Sequence, residues 1–539
     1  MKVSRTARIV FVLFAVCVAL IVVVAPSGVS VRATNERRAA PNVRVAPPAP
    51  VFNDKDRVAE LMQRRERVAQ SVGPKAFLIL FSTEPRNYAN DVDYPYRQEN
   101  NLYYLTNLKQ KGATLVLLPG NTKHKEILFL PRRSPLSETW NGHMYSAQEA
   151  QQLSGVREIW QNTELQPFIT ALRNRQPYRP KQENIFMSDL PADMPLSNDH
   201  GFAALFDAAA KNEAGLYMLV PGGPESREYR NEQRFAADWN TTASGYGVRN
   251  AWDIFTKMRL VKSPMELRIM QHAIDISIEA HQRSWVSAIS AKWEYEVDAE
   301  IAYTFKLRNA DNWGYPDIVG CGPNATTLHY IESQGPVKSG ELILMDVGAE
   351  YDHYTADITR TFPVNGKFSP AQAAVYQIVY DAQEAVAAAS KPGATLSAVN
   401  RAGTEVVKDG LLKLGLITDR NSNQHRLWFM HGTSHWLGMN VHDVGGGAQF
   451  VPGVVFTNEP GIYVRPDALD QMPPGFTPSE WEKFVAAVRP AFEKYKGIGV
   501  RIEDDMVITE TGVRWMSEAL PRKIVDIEDF IAKARRQSE

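Results

Sequence analysis

The segment "ELILMDVGAEYDHYTADITRTFPV" (341–364) carries the pattern that decides the fold of this chain. Two apolar runs, 342–348 and 354–362, predict two strands, and the five residues between them fit a hairpin connection. Asp346 falls in the first predicted strand and Asp357 in the second. Aspartate is disfavoured in strands, and two facing carboxylates in apolar surroundings repel unless a cation lies between them. We therefore expect a metal site here; the alternative is that one aspartate caps a turn or pairs with Arg360.

Three histidines follow in "FMHGTSHWLGMNVHD" (429–443), at positions 431, 435 and 442. Gly432 and Gly438 argue against one continuous helix, so His431 and His435 need not share a helix face. The sequence contains no His-Glu-x-x-His motif, which excludes a zinc-protease helix of that kind.

Two glutamates extend the set of candidate ligands. Glu459 ends the predicted strand of "PGVVFTNEPGIYV" (452–464), and Glu503 interrupts the predicted strand of "KGIGVRIEDDMVITETG" (496–512). Taken alone, Glu503 is equally consistent with the exposed face of an alternating strand.

The candidate metal ligands comprise four carboxylates, one imidazole and no thiolate: Asp346, Asp357, His435, Glu459 and Glu503. Hard oxygen ligands favour manganese, magnesium or cobalt over a structural zinc ion. Four negative charges exceed what one divalent ion would normally neutralise, so two bridged ions are expected. A water bridging such ions becomes a hydroxide nucleophile at neutral pH, and its natural target is a carbonyl carbon.

The rest of the chain predicts two folded domains. A helix at 54–72 and strands at 76–81, 102–107, 113–118 and 126–131 indicate a first α/β domain over 54–235. The second domain, 250–525, contains two helices that begin with the same signal: Ser263 with Glu266, and Ser369 with Gln372, as capping boxes. Each helix precedes another helix and a block of strands, which indicates an internal duplication.

The N-terminus predicts export. A basic start precedes an unbroken apolar run at 9–25, which is typical of an export signal within residues 1–33. The alternative is an uncleaved membrane anchor formed by the same run. Either way, we expect the folded part to lie outside the cytoplasm, in the periplasm or secreted. Residues 34–53 are rich in proline, alanine and arginine and predict a linker.

Composition excludes several classes of partner. The 539 residues are 44% hydrophobic and 22% charged, with a net charge of −1, which gives no electrostatic basis for binding nucleic acid or a membrane surface. Cys17 lies in the apolar run, so Cys321 is the one cysteine of the folded part and no disulfide framework is expected.

The chain resembles the aminopeptidase P and prolidase family. The resemblance rests on "DYPYRQENNLYYLTNL" (93–108), "MRLVKSPMEL" (258–267), "LHY" (328–330), "MDVGAEYDHYTADITRTFPVNGKFS" (345–369), "HGTSHWLGMNVHDVG" (431–445), "NEPGIY" (458–463) and "GVRIEDDMVIT" (499–509). It implies an α/β (α+β) protein in which a creatinase-like N-terminal α/β domain precedes a pseudo-twofold pita-bread catalytic domain.

The resemblance also implies how the ligands are shared between two ions. Asp346 and Asp357 would hold one ion, Asp357 and Glu503 would bridge, and His435 and Glu459 would complete the other. Manganese is the expected metal, with cobalt or zinc as alternatives. Glu459 would also act as general base towards the attacking water.

Five more residues acquire expected roles from the same resemblance. His329 and His442 would stabilise the gem-diolate beside the metals. His431 would support the site from behind, Arg501 would orient the bridging glutamate, and Tyr463 would form a hydrogen bond near the centre.

The activity implied is that of an aminopeptidase that releases the first residue from peptides with proline in second position. An X-Pro bond has no N–H and a fixed φ, which defeats proteases that bind that N–H group. The alternatives are a prolidase confined to X-Pro dipeptides and an inactive pita-bread module that binds partners; a creatinase-like enzyme would lack the ligands. The family suggests a homodimer or homotetramer.

Two residues of "YPDIVGCGPNATTLHY" (315–330) depart from the family pattern. Asp317 is either a surface loop residue or a modifier of the entrance to the proline pocket. Cys321 is expected to be a small buried residue, although a thiol close to the metals would matter for oxidation.

Overall fold

The computed structural model of the protein describes residues 43–191, 201–222, 226 and 228–538. The predicted export signal or anchor (1–33) and the beginning of the linker lie outside the described residues. Among the residues described, no helix is both long enough and apolar enough to span a bilayer.

A seven-stranded mixed sheet forms the first domain, with strand order β7-β6-β5-β4-β1-β8-β9, and β2 and β3 pair separately. The strands are β1 (Ala76–Phe81), β2 (Asn87–Ala89), β3 (Val92–Asp93), β4 (Thr114–Leu117), β5 (Glu126–Leu130), β6 (Ile159–Gln161), β7 (Ile185–Met187), β8 (Ala214–Met218) and β9 (Tyr246–Asn250). The helices are α1 (Asp54–Val72), α2 (Asn100–Thr106), α3 (Pro135–Asn141), α4 (Ala147–Ser154), α5 (Leu165–Arg173), α6 (Ala203–Ala210) and α7 (Arg230–Thr242). Strands β1, β4 and β5 are apolar runs because helices cover the sheet and bury their side chains in its core.

The second domain is built from long helices around small antiparallel sheets. Its helices are α8 (Trp252–Leu260), α9 (Pro264–Ser287), α10 (Glu294–Leu307), α11 (Pro370–Ala389), α12 (Leu396–Leu414), α13 (Pro478–Tyr495) and α14 (Ile524–Ser538). Its strands are β10 (Asn312–Trp313), β11 (Ile318–Cys321), β12 (Leu342–Val347), β13 (Ala349–Tyr351), β14 (Tyr354–Thr355), β15 (Ile358–Pro363), β16 (Val455–Asn458), β17 (Gly461–Tyr463), β18 (Gly499–Arg501), β19 (Asp504–Ile508) and β20 (Val513–Trp515). They pair as β11-β12-β15, β16-β19-β20, β10-β13-β14 and β17-β18.

Both predicted capping boxes are confirmed. The Glu266 amide donates to the Ser263 hydroxyl (3.2 Å) and the Ser263 amide donates to the Glu266 carboxylate (2.8 Å). The same reciprocal pair joins Ser369 and Gln372 at the start of α11. Each helix is followed by a second helix, α10 or α12, so the same order of elements occurs twice.

The strand predicted at 102–107 is wrong, because this segment forms helix α2. Glu99 caps the helix by accepting a hydrogen bond from the Leu102 amide (2.7 Å), and Asn107 ends it in the left-handed conformation at φ 58°. Every residue of α2 is buried. A short helix without a polar face lacks the 3.6-residue periodicity that would distinguish it from a buried strand.

The single strand predicted at 354–362 is also wrong, as is the simple hairpin connection. β12 and β15 do pair, with Asp346 opposite Thr359, but the chain between them forms a second hairpin, β13–β14, in another sheet. Asp352 and His353 make its tip with positive φ angles of 52° and 68°. Asp357 therefore lies in the short link before β15 and not inside a strand.

Two predicted boundaries differ from the structure. Residue 235 falls inside α7, and β9 completes the first sheet beyond it. Residue 525 falls inside α14, which packs on the second domain through Phe530 and Trp285, with ring centroids 5.2 Å apart. The described end of the linker forms no helix or strand, yet it is fixed to α9, because the Ala46 amide donates to Glu279 (2.8 Å).

A buried ion pair joins β15 to β19 behind the sheets. The Arg360 guanidinium and the Asp504 carboxylate are 2.7 Å apart, and both side chains are fully buried. Arg360 also donates to the backbone carbonyls of Glu503 (2.6 Å) and Leu520 (3.0 Å). The alternative that Arg360 pairs with Asp346 or Asp357 is therefore wrong.

Replacing Arg360 by methionine keeps most of the volume but leaves Asp504 buried without its cation. We expect Arg360→Met to lower the free energy of unfolding by about 3–5 kcal/mol, read as a lower urea midpoint. The matched control is Lys367→Met, since Lys367 pairs with Glu528 (2.6 Å) but its side chain is 74% exposed. That change should cost about 0–1 kcal/mol, and equal midpoints for the two variants would contradict the role of the buried pair.

Candidate metal centre

The structure brings the predicted ligands to one place from separate parts of the second domain. The His435 Nε2 atom lies 3.3 Å from Asp357 Oδ2 and 3.4 Å from Glu459 Oε1. One ligand atom each of Asp357, His435 and Glu503 lie within 4.8 Å of one another. Asp346 joins this group through Tyr315, whose hydroxyl contacts both Asp346 and Asp357.

Backbone hydrogen bonds from neighbouring segments hold these residues. The Glu503 amide donates to the Thr359 carbonyl (3.0 Å) and the Glu459 amide donates to the Thr433 carbonyl (2.8 Å). The Asp357 amide donates to the buried Asp505 carboxylate (3.1 Å). The positions of the ligands are thus set by strand ends and short links that pair with each other.

The ring of His435 is oriented as a metal ligand requires. Its Nδ1 atom lies 3.0 Å from the Trp436 carbonyl, to which Nδ1–H donates. This hydrogen bond leaves Nε2 facing Asp357 and Glu459, which is the arrangement that fixes the tautomer of ligating histidines.

The negative charges of the acidic residues in the cluster are only partly balanced by neighbouring positive charge. Burial raises the pKa of Asp346, raises that of Glu459 to about 7 and raises that of Glu503 well above its usual range. Repulsion from Asp357 raises all three further, while Arg501 acts in the opposite direction. A site of this kind fits divalent cations, because they would supply the missing charge to hard oxygen ligands.

Arg501 contacts a different acid from the one predicted. Its guanidinium donates to Asp346, to the Tyr463 hydroxyl (2.8 Å) and to the Thr359 hydroxyl (3.0 Å). The Thr359 hydroxyl in turn donates to Glu503 (2.7 Å). Arg501 therefore orients Asp346 directly and reaches Glu503 only through Thr359.

His431 and Tyr463 form a line behind the cluster. His431 Nδ1 donates to the Gly432 carbonyl (2.6 Å), and its Nε2 lies 2.8 Å from the Tyr463 hydroxyl. Burial, followed by the charge of Arg501, lowers the pKa of His431 to about 3, so the ring is neutral. Nε2 thus accepts the Tyr463 proton, while the Tyr463 oxygen accepts from Arg501. His431 Nδ1 is 3.6 Å from Glu459, so His431 lies beside this glutamate.

His442 and His329 are both exposed. The His442 ring meets the His435 ring edge-on, with centroids 4.4 Å apart at 89°. Burial lowers the pKa of His442, and the charges of His435 and His329 lower it further. The charge of His329 also lowers the pKa of His431.

Tyr315 is a site residue that sequence reasoning missed. Its hydroxyl lies 2.6 Å from Asp346 and 2.6 Å from Asp357, and it is the contact that links the two carboxylates. The feature that could have pointed to Tyr315 is strand β11, which directly follows it. This strand pairs with β12, so that Ile318 lies opposite Asp346. Without the register of that pairing, a tyrosine in a proline-containing link indicates nothing about metal ligands.

The two departures from the family pattern are both buried but differ in environment. Asp317 is buried, so the surface-loop interpretation is wrong; burial, then Asp298 and Asp346, raises its pKa well above the usual range. Cys321 is buried as expected, with Sγ 3.5 Å from Glu341. Burial raises the pKa of this thiol to about 12, which makes it a poor nucleophile.

Comparison with known proteins agrees with this geometry. Residues 268–510 match metallopeptidase family M24, and residues 61–179 match the aminopeptidase P N-terminal domain. The chain is 33% identical over 488 residues to the Xaa-Pro aminopeptidase of Haemophilus influenzae, a match that covers 88% of this chain and 97% of that protein. It is 32% identical to the Xaa-Pro aminopeptidase of Escherichia coli, covering 89% of this chain and 98% of that protein.

Solved structures show the same likeness over both domains. Aminopeptidase PepP of Pseudomonas aeruginosa matches with a TM-score of 0.71 at 28% identity, covering 90% of this chain and 99% of that chain. Proline aminopeptidase P II of Yersinia pestis matches with a TM-score of 0.71 at 30% identity, covering 89% and 100%. The fold class that the resemblance implied is confirmed, with an aminopeptidase P N-terminal domain before a pita-bread domain. The chain belongs to the Xaa-Pro aminopeptidase (aminopeptidase P) family of M24 metallopeptidases.

Proposed function

We propose that the cluster is a dinuclear metal centre and that it hydrolyses the first peptide bond of substrates with proline in second position. The observation that carries this proposal is the meeting of Asp357, His435 and Glu503 within 4.8 Å, in a buried acidic pocket of an M24 metallopeptidase.

Five side chains would hold the two cations: Asp346, Asp357, His435, Glu459 and Glu503. Oxygen-rich donors favour manganese, with cobalt or zinc as alternatives. When bound, the cations would activate a water molecule and polarise the scissile carbonyl.

Glu459 is the proposed general base. Its carboxylate is buried beside His435, and burial raises its pKa to about 7. A carboxylate in this position would take the proton from the attacking water and pass it on. His431, 3.6 Å away, would help to keep this carboxylate in position.

His329 and His442 would serve the side of the site that faces substrate. Both rings are exposed at the opening, where an N–H group can donate to the oxygen that becomes negatively charged during the reaction. Arg501 and Tyr463 would keep Asp346 fixed from the buried side, because their hydrogen bonds form one continuous chain.

Specificity for proline is supported by the relatives, whose names are those of Xaa-Pro aminopeptidases. The chain spans 97% and 98% of their lengths, which favours aminopeptidase activity over the dipeptidase alternative. An inactive module is disfavoured, because the complete ligand set is present and converges. We also propose that the protein is exported by residues 1–33 and forms homo-oligomers.

A peptide series tests the substrate class. With Mn²⁺ added, we expect X-Pro-Y tripeptides to be cleaved after the first residue. X-Ala-Y peptides should react at least about 100-fold more slowly in kcat/KM, because a built pocket discriminates by several kcal/mol. Cleavage of X-Pro dipeptides alone, measured by chromatography of the products, would identify a prolidase instead.

Variants of the bridging acids test the metal centre. We expect Asp357→Asn and Glu503→Gln to abolish hydrolysis and to lower bound Mn²⁺ in metal analysis, since each removes a charged ligand. His442→Ala should lose most of kcat, by about 100-fold, yet retain its metal, because this histidine serves the oxygen of the substrate. Metal loss in His442→Ala would contradict the role given to that residue.

The pH dependence of the metal-free protein offers a test without substrate. Burial lowers the pKa of His435, but the hydrogen bond to Asp357 and the charge of Glu459 outweigh it and raise the pKa to about 9. A histidine with a raised pKa stabilises the fold fully below pH 6.5 and loses that contribution as pH rises towards 9. We therefore expect the unfolding midpoint of chelator-treated protein to fall between pH 7 and pH 9.

Added Mn²⁺ should remove this fall, because the neutral imidazole then binds a cation in place of the proton. His435→Gln is the control and should show a smaller fall over the same range without metal, because only the buried carboxylates with raised pKa values then contribute. A wild-type midpoint that stays level from pH 7 to pH 9 would disprove the stated environment of His435.

A further inference from the structure

Two segments of the second domain begin and end at residues of the candidate site and contact the first domain in between. Between Asp346 and Asp357 it forms the β13–β14 hairpin, which contains Glu350. Between His435 and His442 it forms an irregular loop, which contains Met439. Each excursion is therefore flanked on both sides by residues of the site.

One side chain of the first domain contacts both excursions. Arg97 donates through Nε to the two Glu350 carboxylate oxygens, at 3.0 Å and 2.7 Å. Its Nη2 donates to the Met439 carbonyl at 2.7 Å. A planar guanidinium donates in fixed directions, so these contacts fix the two segments relative to each other.

Neighbouring residues strengthen this arrangement. The remaining nitrogen of Arg97 donates to the Asn100 side chain (2.9 Å), and the Asn100 amide donates to the Asn440 side chain (2.9 Å). Arg97 therefore has hydrogen-bond partners on all three nitrogens.

Arg97 supplies a positive charge to the buried carboxylate of Glu350. The Glu350 side chain is only 6% exposed; burial raises its pKa, and the charge of Arg97 lowers it. Without Arg97 this buried carboxylate would lose its hydrogen-bonded counter-charge, and the Met439 carbonyl would lose its donor. The hairpin and the loop would then keep the hydrogen bond from the Thr355 amide to the Gly438 carbonyl (3.0 Å) but lose the side-chain link between Glu350 and Met439.

Both excursions have other contacts, so loss of Arg97 should not unfold them. Asp443, after His442, forms a buried ion pair with Arg259. At the hairpin tip the His353 ring stacks on Tyr103, with centroids 3.7 Å apart. Arg97 adds a side-chain link between the two excursions, at Glu350 and Met439.

We propose that Arg97 is a positioning residue: by tying Glu350 to Met439 it sets the spacing between Asp357 and His435 and so tunes the affinity of the site for divalent cations. Ligand atoms must be held within about 0.5 Å for a metal site to bind well, so small shifts of the two segments are expected to matter. This inference rests on the proposed metal centre, and it assigns to the first domain a part in building it.

The test measures Mn²⁺ binding by isothermal titration calorimetry, without substrate, on Arg97→Gln and Arg97→Lys of the full chain. We expect the Kd for Mn²⁺ to rise at least about tenfold in Arg97→Gln. The Kd of Arg97→Lys should lie between those of the wild type and Arg97→Gln. Lysine keeps a positive charge beside Glu350 but lacks the planar guanidinium that donates in several fixed directions. In assays with X-Pro-Y peptides, raising Mn²⁺ should restore kcat, which a general loss of folding would not allow.

Lys109→Gln is the matched control. Lys109 lies in the first domain, pairs with Asp311 of the second (3.0 Å) and is 35% exposed, close to the 38% of Arg97, but it contacts neither Glu350 nor Met439. Unchanged Mn²⁺ affinity in Arg97→Gln, or a loss equal to that of Lys109→Gln, would overturn the proposal. If Arg97→Gln does not fold, Arg97→Lys decides by the same criteria.

Failure of the proposed function is distinguishable from failure of this inference. A wild-type protein that binds no Mn²⁺ would disprove the metal centre itself. A wild-type protein that binds Mn²⁺ but does not cleave X-Pro-Y peptides would disprove only the substrate class, and the binding comparison would still decide the role of Arg97.

Discussion

Electrostatic repulsion within one buried group of carboxylates is the constraint on which the rest of this structure depends. Asp346, Asp357, Glu459 and Glu503 come from separate strand ends, and burial raises the pKa of three of them. Arg501 offsets part of the charge by binding Asp346. An assembly of this kind costs stability in the metal-free protein and gains it from cations, so folding and function are linked through the same side chains.

Contacts around the carboxylates hold the neighbouring strands in fixed positions and so oppose this repulsion. The ion pair of Arg360 with Asp504 ties β15 to β19 just behind the ligands, and Arg360 also holds the Glu503 carbonyl. Tyr315 and Thr359 place hydroxyl groups between the acids. Ligands that sit at strand ends can converge only if the strands themselves are fixed, and these contacts fix them.

The first domain takes part in the same arrangement. Its helix α2 and the residues just before it meet the two segments that carry the ligands, through Arg97 and Asn100. This is a reason for the domain to be present in a metallopeptidase whose proposed ligands all lie in the other domain. The same contacts help to bury every residue of α2.

The sequence by itself determined the class of fold and the candidate ligands. Carboxylates in or beside apolar strands, together with a histidine outside any helix, are local patterns, and they selected Asp346, Asp357, His435, Glu459 and Glu503 as candidates. The capping boxes at Ser263 and Ser369 were equally local and marked the two halves of the second domain.

Only the tertiary structure decided which groups meet across long stretches of sequence. The roles of Tyr315 and Arg97, and the pairing of Arg501 with Asp346, depend on strand register and on the contact between domains. Tertiary contacts also decided that Asn100–Thr106 forms a helix and that the segment 354–362 is divided between two strands. Fully buried segments show no polar periodicity, so their conformation is set by the elements that enclose them.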